Sequence, residues 1–74
     1  MRAKLTSTTN KRFQYMEGVE GELRLPPMLD ASAIFTEDNG HRLITSRVQQ
    51  FYIEGSTVTL HTLNSVYVFE QVDI

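Results

Sequence analysis

Between Ile44 and Phe69 the sequence ITSRVQQFYIEGSTVTLHTLNSVYVF alternates apolar and polar residues, breaks at Glu54-Gly55-Ser56, resumes, breaks at Leu63-Asn64-Ser65 and resumes again. A period of two puts successive side chains on opposite faces of an extended chain, so the stretch reads as strands joined by tight turns. Val58 and Leu60 then face one way, Thr59 and His61 the other. Val66-Tyr67-Val68-Phe69 is apolar or aromatic throughout, which predicts that the strand at 66–72 is covered on both sides.

Upstream, RFQYME (12–17) alternates with Phe13 and Tyr15 on one face, and GELRL (21–25) places Leu23 with Leu25. Ala33-Ile34-Phe35 lead into Asp38-Asn39-Gly40, where Asn-Gly is a strong hairpin signal because both residue types accept positive φ. Separate strands are expected at 42–45, 48–54 and 57–63, with Asn64-Ser65 as a second two-residue turn. In MLDASAIFTED, after Pro26-Pro27, the apolar residues Met28, Leu29, Ile34 and Phe35 miss the helical spacing, leaving room for one short turn at 30–34.

The expected fold is all-β, with little or no helix: a small antiparallel barrel or sharply bent sheet of five to seven short strands, SH3-like in design. Closing the sheet would also remove exposed strand edges. The predicted core is Phe13, Leu23, Ile34, Leu43, Phe51, Ile53, Val58, Leu60, Val66, Val68 and Phe69.

Residues 1–74 make a single domain near the lower limit for a self-sufficient core, which at this size rarely supplies more than about 3–5 kcal/mol without a staple. With no cysteine, neither disulfides nor thiolate metal sites can serve, so a homo-oligomer is expected, with a well-packed monomer of modest stability as the alternative. No apolar run approaches the roughly 20 residues of a membrane span, and the basic N-terminus lacks the apolar stretch of a signal peptide. A cytoplasmic location fits these features.

The net charge of −2 argues against a strong non-specific nucleic-acid binder, but its distribution is uneven. Arg2, Lys4, Lys11 and Arg12 stand near the N-terminus without an acid among them, and residues 1–10 read as a flexible basic arm. From Glu17 to Asp38 six acids face Arg24 alone, a candidate docking segment for a basic protein surface.

Chemistry-bearing motifs are absent. His41 and His61 do not pair at a metal-ligand spacing, and no glycine framing sets up a nucleophile or a phosphate loop. No catalytic residue, metal or cofactor is expected. Tyr15, Tyr52 and Tyr67, with Arg42 and Arg47, offer a stacking platform for nucleic acid, weakened by the acidic total. A small anionic ligand suits the residues better, because arginine grips phosphate in bidentate fashion without requiring a basic protein. The candidate ligand-binding residues are Arg42, Thr45, Ser46, Arg47, Asn64, Ser65 and Tyr67, with subunit association supplying depth.

Ile44-Thr45-Ser46-Arg47-Val48 and Thr62-Leu63-Asn64-Ser65-Val66-Tyr67 resemble an I-x-TS-x-V … T-x-NS-x-Y pattern in short β-proteins of bacteriophages and mobile elements. The N-terminal half adds nothing to this likeness. The resemblance implies a phage-type accessory protein that counters bacterial defence in the host cytoplasm. It would act as an oligomer sequestering a small phosphorylated, nucleotide-type signal, or as a protein–protein inhibitor of a host defence or CRISPR effector; a nucleic-acid-binding barrel is the third possibility.

Overall fold

In the computed structural model, which describes residues 1–72, six strands close into an antiparallel barrel. They are β1 (Arg2–Thr8), β2 (Glu20–Leu23), β3 (Ser32–Glu37), β4 (Arg42–Glu54), β5 (Thr57–Thr62) and β6 (Val66–Gln71). Each strand pairs with its neighbours in the chain, and β6 returns to β1. The all-β expectation holds.

β1 corrects the reading of residues 1–10 as a flexible arm. It pairs with β2 through Lys4↔Glu20 and with β6 through Leu5↔Phe69, so the N-terminal segment is the closing wall of the barrel. Ala3 and Leu5 point into the core and are fully buried, a period-two pattern hidden among small polar residues.

The segment expected to be a strand at 12–17 is a 3₁₀ helix, Lys11–Met16. Asn10 caps it, its side-chain oxygen accepting from the Arg12 amide at 3.0 Å. In a helix of three residues per turn, positions i and i+3 share a face. Phe13 and Met16 therefore reach the core together, while Tyr15 is left 74% exposed. No helical turn forms at 30–34, because β3 begins at Ser32. The 21–25 strand stops at Leu23, and Leu25 lies on the surface.

The strands expected separately at 42–45 and 48–54 are one strand of 13 residues. Its register shifts against β3 between Ser32 and Ile34, and against β5 between Val48 and Gln50. Such irregularities bend a strand and sharpen its twist, so a single strand can serve two walls of a small barrel. Thr45-Ser46-Arg47 thus marks a bend inside β4.

The Glu54–Thr57 hairpin closes through Gly55-Ser56. Gly55 has φ 59° and Ser56 does not share the positive value, the signature of a type II′ turn. At the β3–β4 connection only Gly40 takes positive φ, and the Asn39 side chain instead accepts from the His41 amide. The third hairpin uses Leu63-Asn64-Ser65, one residue longer than expected.

Of the predicted core, Leu23, Leu43, Val58, Leu60 and Phe69 are fully buried, and Phe13 and Phe51 pack against them. Ile34, Val66 and Val68 are only half-buried, and Ile53 is 53% exposed. β6 is not covered equally on both sides, as its apolar run suggested: Phe69 is in the core as expected, but Tyr67 points inward with it, against Leu60 and Val58, while Val66 and Val68 take the outer face. Burying Tyr67 is tolerable because its hydroxyl accepts from the Asn10 side-chain amide at 2.9 Å. Phe69 also meets Phe35 with ring centroids 5.1 Å apart.

Gly21 lies where β2 passes close to β3, and a Cβ there would run into the Thr36 carbonyl and come within 2.9 Å of the Glu37 Cα. Since backbone cannot swing aside, Gly21→Ala is expected to destabilise by roughly 1–3 kcal/mol, lowering Tm by at least about 4 °C in thermal unfolding. An unchanged Tm would mean that β2 and β3 do not approach this closely.

Candidate functional site

The hydroxyl residues of the 45–47 and 62–65 joints come together, as their sequence pattern suggested, but they are occupied with one another. The Ser46 hydroxyl donates to Thr62 Oγ1 at 2.8 Å. Thr62 Oγ1 in turn donates to the Ser65 carbonyl at 3.0 Å and accepts from the Ser65 amide at 3.1 Å. Thr45 is buried, accepts from the Ala33 amide at 2.9 Å and donates to the Ser46 carbonyl at 2.6 Å. The Leu63 amide donates to the Arg47 carbonyl at 3.1 Å, tying the two joints through the backbone. Thr62, absent from the predicted site, is the hub. These groups lock β4, β5 and β6 together, and the two exposed candidates left beside them are Arg47 and Asn64.

Tyr67 leaves the candidate site altogether. Its ring is in the core, so it cannot stack on a ligand or complete a tyrosine platform. Arg42 also stands apart from Arg47, since five residues along a strand separate Cα atoms by about 16 Å.

Arg42 belongs to a second place on the surface. On the outer wall, Thr36 lies opposite both Glu22 and Arg42, and Ile34 lies opposite Ile44. The Arg24 amide donates to the Ile34 carbonyl at 3.0 Å, extending the second row past the end of β2. Met1, Glu22, Leu23, Arg24, Leu25, Ile34, Thr36 and Arg42 enclose an open cleft of about 390 Å³. Strands two apart in a sheet are separated by about 10 Å. Both guanidinium groups can therefore reach one ligand from opposite sides of β3. Among the described residues neither arginine forms an ion pair. Glu22 is engaged by the Met1 ammonium at 2.8 Å. The missed residue is Arg24: its outward phase with Glu22 was readable, but the register bringing β2 beside β4 through β3 was not.

The acidic 17–38 segment is largely spoken for inside the molecule. Arg2 forks onto Asp38 with contacts of 2.6 and 3.1 Å and lies 3.8 Å from Glu20. Glu17 accepts from the Thr8 amide at 2.9 Å. Lys4 stands opposite Glu20 on one side and Glu70 on the other. Bipolarity along the sequence becomes local charge balance across the barrel wall.

No protein-family model matches the chain, and neither does any curated protein or solved structure. No group of His, Asp or Glu side chains among the described residues is placed to hold a metal ion. Among the described residues no helix is long and apolar enough to cross a membrane.

Two outcomes follow from the occupied groups. Thr62→Val keeps the shape but leaves the Ser46 hydroxyl and the Ser65 amide without their partner. It is expected to cost about 1–3 kcal/mol in denaturant unfolding. The hydrogen bond from Arg2 holds the Asp38 carboxyl below its ordinary value, with the arginine's charge acting in the same direction. A depressed folded-state pKa gives stability present above the unfolded value and lost as pH falls through the folded one. Asp38→Asn should therefore flatten the stability profile between about pH 5 and pH 2, read from urea midpoints. A parallel profile would discount the fork.

Proposed function

We propose that this protein is a non-enzymatic binding protein that sequesters a small phosphorylated, nucleotide-type molecule. It would act as a phage-type accessory protein against a defence signal in the cytoplasm of a bacterial host. The observation that carries the proposal is the cleft of about 390 Å³ between Arg24 and Arg42, two guanidinium groups without ion-pair partners among the described residues, flanking the side chains of Leu25 and Ile34. Its size lies within the range of about 300–1,000 Å³ common for small-molecule sites.

Each residue type has a part in such binding. Arg24 and Arg42 take the phosphate oxygens, with charge-assisted and bidentate hydrogen bonds. Leu25 and Ile34 offer a flat apolar surface to a base or other ring. Thr36, midway between the arginines' strands, adds a hydroxyl that can donate or accept. The carboxylate opposite Thr36, Glu22, is engaged by the Met1 ammonium and makes no hydrogen bond to the Thr36 hydroxyl, which favours a bound molecule being held and not transformed. Arg47 and Asn64 stand exposed beside the hydroxyl joint, outside this cleft.

The test begins with protein expressed in cells that make nucleotide signals, then denatured and assayed for released phosphorylated compounds by mass spectrometry. Nucleotide monophosphates and cyclic dinucleotides are added to emptied protein in thermal unfolding. Occupancy at 100-fold over Kd stabilises by about 2.7 kcal/mol, which raises the Tm of a domain this size by roughly 10 °C or more. Arg24→Ala with Arg42→Ala should abolish both signals, whereas Arg47→Ala should leave them. No released compound together with an unmoved Tm would sink the proposal. Loss of binding through Arg47→Ala alone would move the site to the hydroxyl joint.

A further inference from the structure

β4 is longer than the wall it belongs to. β3 follows it only as far as Arg47, after which the β2–β3 connection adds two hydrogen bonds at Val48, from the Asp30 amide and to the Ala31 carbonyl. From Gln49 to Glu54 β5 is the one strand paired with β4 among the described residues, so the other edge of this segment is open.

Register decides which groups face that open edge. The pair flanking a two-residue hairpin loop is hydrogen-bonded, and such pairs alternate along an antiparallel ladder. With Glu54↔Thr57 closing the turn, Tyr52↔Thr59 is the next bonded pair, so the amides and carbonyls of Phe51 and Ile53 point outward. Protected edges usually carry lysine, proline or a bulge aimed at solvent. Residues 49–54 contain no basic residue and no proline, and the one register shift, between Val48 and Gln50, lies at the start of the segment and leaves Gln50–Glu54 in regular register with β5. Tyr52 and Ile53 are 48% and 53% exposed, although Ile53 lies in phase with the core residues Val58 and Leu60.

The edge is also complementary to itself. Read outward from Tyr52, the strand is matched in both directions: Phe51 against Ile53, then Gln50 against Glu54. We propose that a second copy of this chain pairs its β4 antiparallel with this edge, across a two-fold axis through Tyr52. In that register Phe51 bonds to Ile53 of the other copy, an apolar pair on the side that continues the core. Glu54 falls opposite a Gln50 amide, so the segment's one charge meets a hydrogen-bond donor instead of another carboxylate. The hollow of about 330 Å³ lined by Leu29 and residues 49–52 then receives the end of the other copy's hairpin. A two-fold contact is closed, with the same patch used on both sides, so it caps the edge rather than propagating a fibre.

Tyr52 would face its own counterpart as a non-hydrogen-bonded pair, with Cα atoms about 4.5 Å apart. That spacing is within the range a disulfide spans. Because the chain has no cysteine, Tyr52→Cys introduces a single thiol. Under mild oxidation it should form a disulfide-linked dimer rapidly and nearly completely, while Leu63→Cys, at an exposed position outside residues 49–54, should not. By light scattering the wild-type mass should be an even multiple of 8.5 kDa, and Ile53→Lys, which buries an unpaired charge at the contact, should halve it. A monomeric wild type would overturn the proposal and leave the edge to a foreign strand. So would Tyr52→Cys linking no faster than Leu63→Cys, or a folded Ile53→Lys that keeps the wild-type mass. If Ile53→Lys fails to fold, the cysteine comparison decides alone.

Discussion

Everything in this barrel depends on β1 lying between β2 and β6. It joins the two ends of the chain, with Glu20 on one side and Phe69 on the other. Without it, β2 and β6 both become edges, and Ala3 and Leu5 leave a core that has few residues to spare. Charge helps to select the arrangement. Lys4 sits between Glu20 and Glu70, and Arg2 forks onto Asp38 from the β3–β4 turn. Exposed pairs of this kind contribute little each, so they favour the correct neighbour more than they add to stability.

The strands that were legible in the sequence are those whose partner follows within a hairpin. Alternation fixes the phase of β5, and Gly55 fixes the turn before it, so Val58 and Leu60 could be placed inward from local pattern alone. β6 could not be phased because residues 66–69 are all apolar or aromatic, and periodicity cannot orient a strand without polar contrast. The deciding partner, Asn10, is 57 residues away from Tyr67. At 12–17 the apparent two-residue period of Phe13 and Tyr15 competed with the three-residue period of Phe13 and Met16. The short span between two paired strands selected the second, since a 3₁₀ turn can cross the barrel end and plug it.

The candidate site was legible in composition and illegible in geometry. Thr45, Ser46 and Ser65 were recognised as a gathering of hydroxyls, and they do meet, but hydroxyls that gather at strand ends satisfy backbone first. Thr45 serves the Ala33 amide, and Thr62 serves Ser65. What remains for a ligand is whatever the internal network does not use, and that is arginine. Arg24 gained its importance from the β2–β3–β4 register, which no local signal carries.

The proposed cleft and the proposed contact between copies share one cause, the mismatch between 13 residues in β4 and six in β3. A long strand beside a short one must either overhang or fold back. β4 does the former, bending near Thr45–Val48 so that its first half belongs to the Arg24–Arg42 wall and its second half projects with β5. Arg42 and Tyr52 are therefore ten residues apart on one strand, at most about 33 Å along it. In a dimer joined through Tyr52, the two clefts lie at the outer ends, away from the axis. On the proposed reading each copy would hold its own ligand, and association would not build a pocket shared between chains. The dimer's contribution to binding would be the stiffness of β4: pairing the overhang would restrain the bend from its far end and so preorganise the wall that carries Arg42.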